Sequence, residues 1–135
     1  MTSNSMVDER ALHEIYLAAF EQAVKRARPA TVMASYNYLN GVPACENREL
    51  LTDILREKWG YKGLVMSDWG ACVDLPACIK AGMDVEMPDS NGNHFEDLSD
   101  AIKTGKLPFS RLAEAVQRIK DLNESMAKVR ALRNA

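Results

Sequence analysis

Cysteine is scarce: the 135 residues hold three, Cys45, Cys72 and Cys78. Their odd number, without C-x-x-C or Cys/His ligand spacing, argues against a disulfide framework and a zinc site, so no metal and no cofactor are expected. Long apolar runs are missing as well, none approaching the roughly 20 residues needed to cross a bilayer. Met1 to Met6 is short and polar, without the apolar stretch of a secretory signal. Neither export nor membrane anchoring is expected, which leaves the cytoplasm as the default compartment. Charge of one sign is not in excess either. The 17 Lys and Arg against 19 Asp and Glu leave a formal net charge of -2, which gives no general attraction to a polyanion such as nucleic acid. No Gly-rich phosphate loop occurs, since Gly60 and Gly63 are accounted for by helix termination and the start of a strand. What remains is 47% hydrophobic and 27% charged, the composition of one ordinary folded domain.

Apolar periodicity predicts alternating helices and strands. Ala11, Leu12, Ile15, Tyr16, Ala19, Phe20, Ala23 and Val24 form a helical stripe over residues 7–27, with Asp8 as N-cap. Residues 1–6 before it read as a disordered tail. Pro29 stops the helix, and Ala30 to Tyr36 reads as a strand covered on both faces. After a polar loop with Asn40-Gly41 and Pro43, Asn47 caps a helix through Leu50, Leu51, Ile54 and Leu55 that ends at Gly60. Leu64 to Met66 is the next strand, residues 73–81 a helix closed by Gly82, and Met83 to Met87 a third strand ended by Pro88. Phe95, Leu98, Ala101 and Ile102 mark a further helix ending at Gly105, and Ser110 is read as the cap of the last. Residues 127–135 read as a frayed helix end or linker. The fold class is therefore α/β, with about three parallel strands and flanking helices. A closed eight-stranded barrel needs about 250 residues, and a three-stranded parallel sheet leaves two open edges, a hazard for self-association. The chain reads as part of something larger.

In parallel α/β sheets, function gathers outside the carboxyl ends of the strands. There the first strand delivers Met33, Ser35, Tyr36 and Asn37, the second Ser67, Asp68 and Trp69, and the third Glu86, Met87 and Pro88. Asp68, directly after an apolar strand, is the sharpest candidate, as nucleophile or general base. The competing assignment is a cap on the turn near Ala71, with Ser67 helping. Trp69 suits stacking on a sugar face but equally the core. Tyr36 and Asn37 can position substrate hydroxyls or tie down a loop, and Met33 is most economically core. Asp84 and Glu86 are expected to pair with backbone amides or Arg, Glu46 and Asp74 to serve as loop or cap residues, and His13 and His94 to face solvent.

Four blocks in order resemble a known family: Ala30-Thr-Val-Met-Ala-Ser-Tyr-Asn-Tyr-Leu-Asn-Gly41; Glu46-Asn47 with Leu50-Leu51-Thr-Asp53-Ile-Leu-Arg56; Trp59-Gly-Tyr-Lys-Gly-Leu-Val-Met-Ser-Asp-Trp-Gly70; and Ala81-Gly-Met-Asp-Val-Glu-Met-Pro88. Together they resemble glycoside hydrolase family 3, in its β-glucosidase branch. The resemblance implies a partial TIM (β/α)8 barrel, with residues 7–126 as the later part of that domain. It further implies Asp68 as catalytic nucleophile, Trp69 as a wall of the sugar subsite, and Tyr36 and Met33 as neighbours of the reacting centre. β-Linked glucosides, or β-xylosides in related branches, are the implied substrates. Trp69 stands where the N-acetylhexosaminidase branch typically has a second Asp. Earlier barrel blocks that bind sugar hydroxyls, and the second α/β domain that usually supplies the acid/base Glu, are implied as partners outside this sequence. The isolated chain is therefore expected to be inactive, a split or truncated piece or an assembly module. Two departures from the family pattern touch loops: Ala34 stands where Cys is common, and Asp89-Ser90 where Gly is usual.

Overall fold

Asp8 begins the first helix by accepting the Ala11 N–H at 2.9 Å, as its short carboxylate and extended backbone allow. In the computed structural model, which describes residues 3–133, helical turns then run through residues 9–27. Regular α turns (Glu9–Ala11, Ala18–Gln22) alternate with wider π turns (Leu12–Tyr16, Ala23–Ala27). The wider turns shift the phase of the apolar stripe. Leu12 and Val24 are buried, while Ile15, Tyr16 and Phe20 stay exposed, so the stripe read from sequence is only partly covered. Arg28 closes the helix in the left-handed region at φ 48°.

Strands β2 (Thr31–Ala34) and β5 (Leu64–Ser67) pair in parallel, Thr31 opposite Leu64 through Ala34 opposite Ser67. The expected third strand is shortened to one parallel bridge, Val85 to Met66. The cause lies in the hydrogen bonds. The Asp84 and Val85 amides both donate to the Val65 carbonyl, at 2.8 and 3.1 Å. Two residues later the Met87 N–H goes to Ser67 Oγ at 2.8 Å instead of to a main-chain carbonyl. A side chain thus takes the place of the next rung.

The expected disordered tail is also corrected. β1 (Asn4–Ser5) pairs in parallel with β3 (Tyr38–Leu39), which turns back antiparallel into β4 (Val42–Pro43). Asn40 and Gly41 make that turn with φ of 50° and 86°, as a tight hairpin demands. Asn4 Oδ1 accepts the Gly41 N–H at 2.9 Å, and the Asn40 amide bridges the Val7 N–H and carbonyl at 2.8 and 2.9 Å. Polarity that suggested disorder is here matched to loop backbone, a long-range pairing that composition does not encode. Residues 1 and 2 of the expected tail, and 134 and 135 of the expected frayed end, lie outside the described residues.

Helices Glu49–Lys58, Leu75–Ala81, Phe95–Lys103 and Phe109–Arg133 complete the chain. Asn47 Oδ1 accepts the Leu50 N–H at 3.1 Å and Asp74 Oδ1 the Ala77 N–H at 2.9 Å, as caps. The last helix begins at Phe109, one residue before its expected cap Ser110. It continues through Arg133, with every residue from Asn123 exposed. The core joins Val24, Cys45, Leu51, Leu55, Tyr61, Val65, Cys78 and Met83, with Ile79, Ala101 and Leu107 as a second cluster. No described helix is long and apolar enough to cross a membrane.

One buried carboxylate fastens helices to sheet. Asp84, its side chain 0% exposed, receives Arg56 at 2.6 Å and Arg111 and Arg118 at 2.9 Å each. It also accepts the Val65 N–H at 2.9 Å. Amide and Arg pairing, expected for this residue, are thus both present. Burial pulls the Arg56 pKa down, opposed by the Asp84 charge.

Candidate active site at the strand ends

Because β2 and β5 run parallel and in register, their carboxyl ends lie side by side and their following loops leave together. Asp68, the first residue beyond β5, donates its N–H to the Ala34 carbonyl at 2.8 Å. Its backbone is thereby held against the neighbouring strand. Its own carbonyl accepts the Ala71 N–H at 3.1 Å in a tight turn, where Gly70 adopts φ 70°. In the side chain, Oδ1 accepts the Trp69 N–H at 2.6 Å. No hydrogen bond engages Oδ2 among the described residues. The carboxylate is therefore oriented through one oxygen and half-exposed, with the other oxygen available. It does not reach past Trp69 to cap a helix; Asp74 does that for the helix that follows.

The third chain segment is tied to the same place. Ser67 Oγ accepts the Met87 N–H and donates to the Met87 carbonyl at 3.2 Å, and the Gly70 N–H donates to that carbonyl at 3.0 Å. Around Asp68, the strand ends present Met33, Tyr36 and Trp69, which are 57%, 55% and 63% exposed as residues. This overturns core packing for Met33 and core filling for Trp69. Met33 lies in β2, and Tyr36, Asp68 and Trp69 follow the adjacent carboxyl ends of β2 and β5. Asn37, by contrast, ties down its loop, with Nδ2 donating to the Tyr38 carbonyl at 3.1 Å.

Beneath this face lies Cys45, its Sγ 3.6 Å from the Ser35 carbonyl and 3.8 Å from that of Ala34. Burial pushes its thiol up to about 11, with the neighbouring Cys72 acting in the same direction. Burial likewise raises the Glu46 carboxyl, aided by the nearby Asp74. Among the described residues Glu86 pairs with neither an amide nor Arg: its Oε1 lies 2.8 Å from His94 Nδ1. His94 and His13 are both partly buried, not solvent-facing. A groove of about 800 Å³ opens at the opposite end of the sheet, lined by Arg28, Ala30, Trp59, Tyr61, Gly63 and Arg118 among others. It holds no carboxylate set beside an exposed aromatic at a strand end, so the candidate chemistry stays with Asp68.

The sequence reading missed two groupings. Arg56, Arg111 and Arg118 converge on Asp84; the seven-residue spacing of Arg111 and Arg118, two helical turns, was the available signal. Cys72 and His94 converge on Glu86, and no spacing in the sequence announces it.

Comparison with known proteins places the chain in a family. The family model for the glycosyl hydrolase family 3 N terminal domain matches residues 2–122. A protein named thermostable beta-glucosidase B from Acetivibrio thermocellus is 50% identical over 119 residues, 88% of this chain and 16% of that protein. An exo-alpha-(1->6)-L-arabinopyranosidase from Bifidobacterium breve is 44% identical over the same shares of both chains. Among solved structures, the family 3 β-glucosidase of Bifidobacterium adolescentis superposes with a TM-score of 0.88 at 43% identity, over 93% of this chain and 18% of that one. The β-glucosidase 3B of Thermotoga neapolitana, solved with glucose, gives 0.80 at 44% identity over 85% and 17%. The chain thus spans about a sixth of the length of the relatives it matches, and it belongs to the glycosyl hydrolase family 3 N terminal domain family.

Proposed function

We propose that this chain is the part of a retaining glycoside hydrolase that supplies the attacking carboxylate, acting on terminal β-linked glucosyl residues. The observation that carries the reading is Asp68: half-exposed at the end of a buried strand, fixed through Oδ1, and flanked by exposed Trp69, Tyr36 and Met33. In the proposed reaction an Asp68 oxygen attacks the anomeric carbon while a Glu from outside this chain protonates the departing oxygen. Water then attacks the glycosyl ester, gives its proton to that Glu, and frees Asp68. Such a mechanism sets the two carboxyl groups about 5 to 5.5 Å apart. Trp69 forms a wall against the sugar ring, with Tyr36 and Met33 beside the reacting carbon. Residues 7–126 serve as the later part of a (β/α)8 barrel, and the exposed end of the last helix leads toward a second domain.

Trapping the complete protein with a 2-fluoro glucoside and mapping the labelled peptide tests the assignment. The label is expected on Asp68, and a label elsewhere defeats it. Asp68→Asn in the complete protein should lower kcat by at least ~10⁴, on the scale of removing a nucleophile. Assays on aryl β-glucoside and aryl α-L-arabinopyranoside separate the two sugars named for its relatives. A second reading, a non-catalytic assembly piece, draws on exposed Ile15, Tyr16 and Phe20. On either reading the isolated chain turns over negligibly, since loss of an acid/base alone removes ~10² to 10⁴ in rate. Turnover near that of complete enzymes would place a partner carboxylate in this chain, Glu86 first.

A further inference from the structure

We propose that Cys72, Glu86 and His94 form a binding site for a borderline divalent cation such as Zn2+, with water as fourth ligand. The three come from separate segments: the turn after Asp68, the segment after the Val85 bridge, and the start of the Phe95–Lys103 helix. Their donor atoms nonetheless lie within 4.8 Å of one another. Convergence of one sulfur, one carboxylate oxygen and one imidazole nitrogen is a donor set suited to Zn2+ and poorly suited to Mg2+ or Ca2+.

One polar atom of the cluster has no hydrogen-bond partner. His94 Nδ1 is buried without a hydrogen-bond partner, although Glu86 Oε1 is 2.8 Å away. The two groups are close but not aimed along a hydrogen bond, so they meet as two donors around a common point. Cys72 is itself buried. Tetrahedral Zn2+ with ordinary bond lengths places N, O and S ligand atoms about 3.3 to 3.6 Å apart. The His94–Glu86 pair therefore opens slightly, and no other pair has to close by more than about 1.5 Å. Rotation about the side-chain bonds of Cys72, Glu86 and His94 supplies that movement. Binding converts the Cys72 thiol to thiolate, its proton passing to buffer.

The site is tied to the strand-end face. Gly70, two residues before Cys72, donates to the Met87 carbonyl, and Met87 follows Glu86. An ion here would brace the turn that carries Asp68, yet the inference stands independently of the glycosidase reading.

Titration of the purified, metal-free chain with Zn2+ against a chromophoric chelator, and with Co2+ by absorption, decides it. The expected result is one equivalent bound, with a thiolate-to-cobalt band in the near ultraviolet. Cys72→Ala should abolish the band. His94→Gln and Glu86→Gln should each weaken Zn2+ binding at least ~10-fold, while Cys45→Ser leaves it unchanged. Circular dichroism establishes that each variant folds. If Cys72→Ala does not fold, the His94 and Glu86 variants decide the question in its place. Absence of the thiolate band in the unaltered chain, or Zn2+ affinity indifferent to His94→Gln and Glu86→Gln, overturns the proposal and leaves a His–Glu pair over a thiol.

Discussion

At the scale of single residues, Asp84 does the most. Three guanidinium groups share its carboxylate and the Val65 amide uses the same side chain, all at 2.6 to 2.9 Å. Asp84→Asn keeps the shape but leaves three cations around a neutral amide. Loss of one partner of a buried ion pair costs about 3 to 5 kcal/mol, and urea denaturation of the variant should show a loss of that order. Tyr61 carries a pH signature. Its buried hydroxyl donates to the Leu64 carbonyl at 3.1 Å, and burial raises it from 10.0 to about 12, partly offset by Arg56. A pKa raised by folding contributes stability that is full below pH 10 and lost as pH climbs through about 12, because the unfolded chain gives up its proton first. Cys45, raised from 9.0 to about 11, adds a loss over that earlier window. Thermal unfolding followed from pH 8 to 12 should therefore fall in two overlapping steps. Tyr61→Phe should remove the upper one, worth about 2 kcal/mol.

At the scale of elements, much was legible because the causes are local. Asp8, Asn47 and Asp74 cap by reaching three residues ahead, so residue type and spacing suffice. Gly60, Gly82 and Gly105 end helices at positive φ of 73°, 130° and 72°. Gly82 is the most demanding of these, since a Cβ there would meet Thr52 Oγ1 at 2.8 Å and Leu51 Cβ at 3.0 Å. Gly82→Ala should lower stability by about 1 to 3 kcal/mol through backbone strain alone, with more from crowding, as a shifted denaturation midpoint would show. What escaped the sequence depends on partners far along the chain. Asn4–Ser5 is a strand only because residues 38–41 offer it backbone groups. Residues 83–87 read as a strand, yet one serine diverts their ladder. At the candidate site, Asp68, Trp69 and Tyr36 were legible as residues next to strand ends. Glu86 was visible as a carboxylate near the same ends, but its His94 and Cys72 neighbours were not, since they meet through loop geometry.

At the scale of the whole molecule, the first helix turns Ile15, Tyr16 and Phe20 outward together, and the two-stranded sheet keeps an open edge at β2. Apolar surface of this kind calls for a covering partner. Light scattering of the purified chain should report assembly beyond a monomer, and Phe20→Glu should shift it toward the monomer. Addition of the remaining segments of a complete relative should do the same by covering the helix. A stable monomer indifferent to both would count against the chain as a piece of a larger barrel and as a self-assembling module alike.

The hydroxyl of Ser67 has one more effect. With a single oxygen standing in for a rung of main chain, the stretch beyond Val85 hangs from a pivot instead of continuing a pleat. Its direction is set by that side chain's rotation together with the Gly70 N–H that holds the Met87 carbonyl. Swapping that serine for alanine would then leave the Met87 N–H without its partner and loosen the stretch that holds Glu86 beside His94, while leaving both residues chemically untouched.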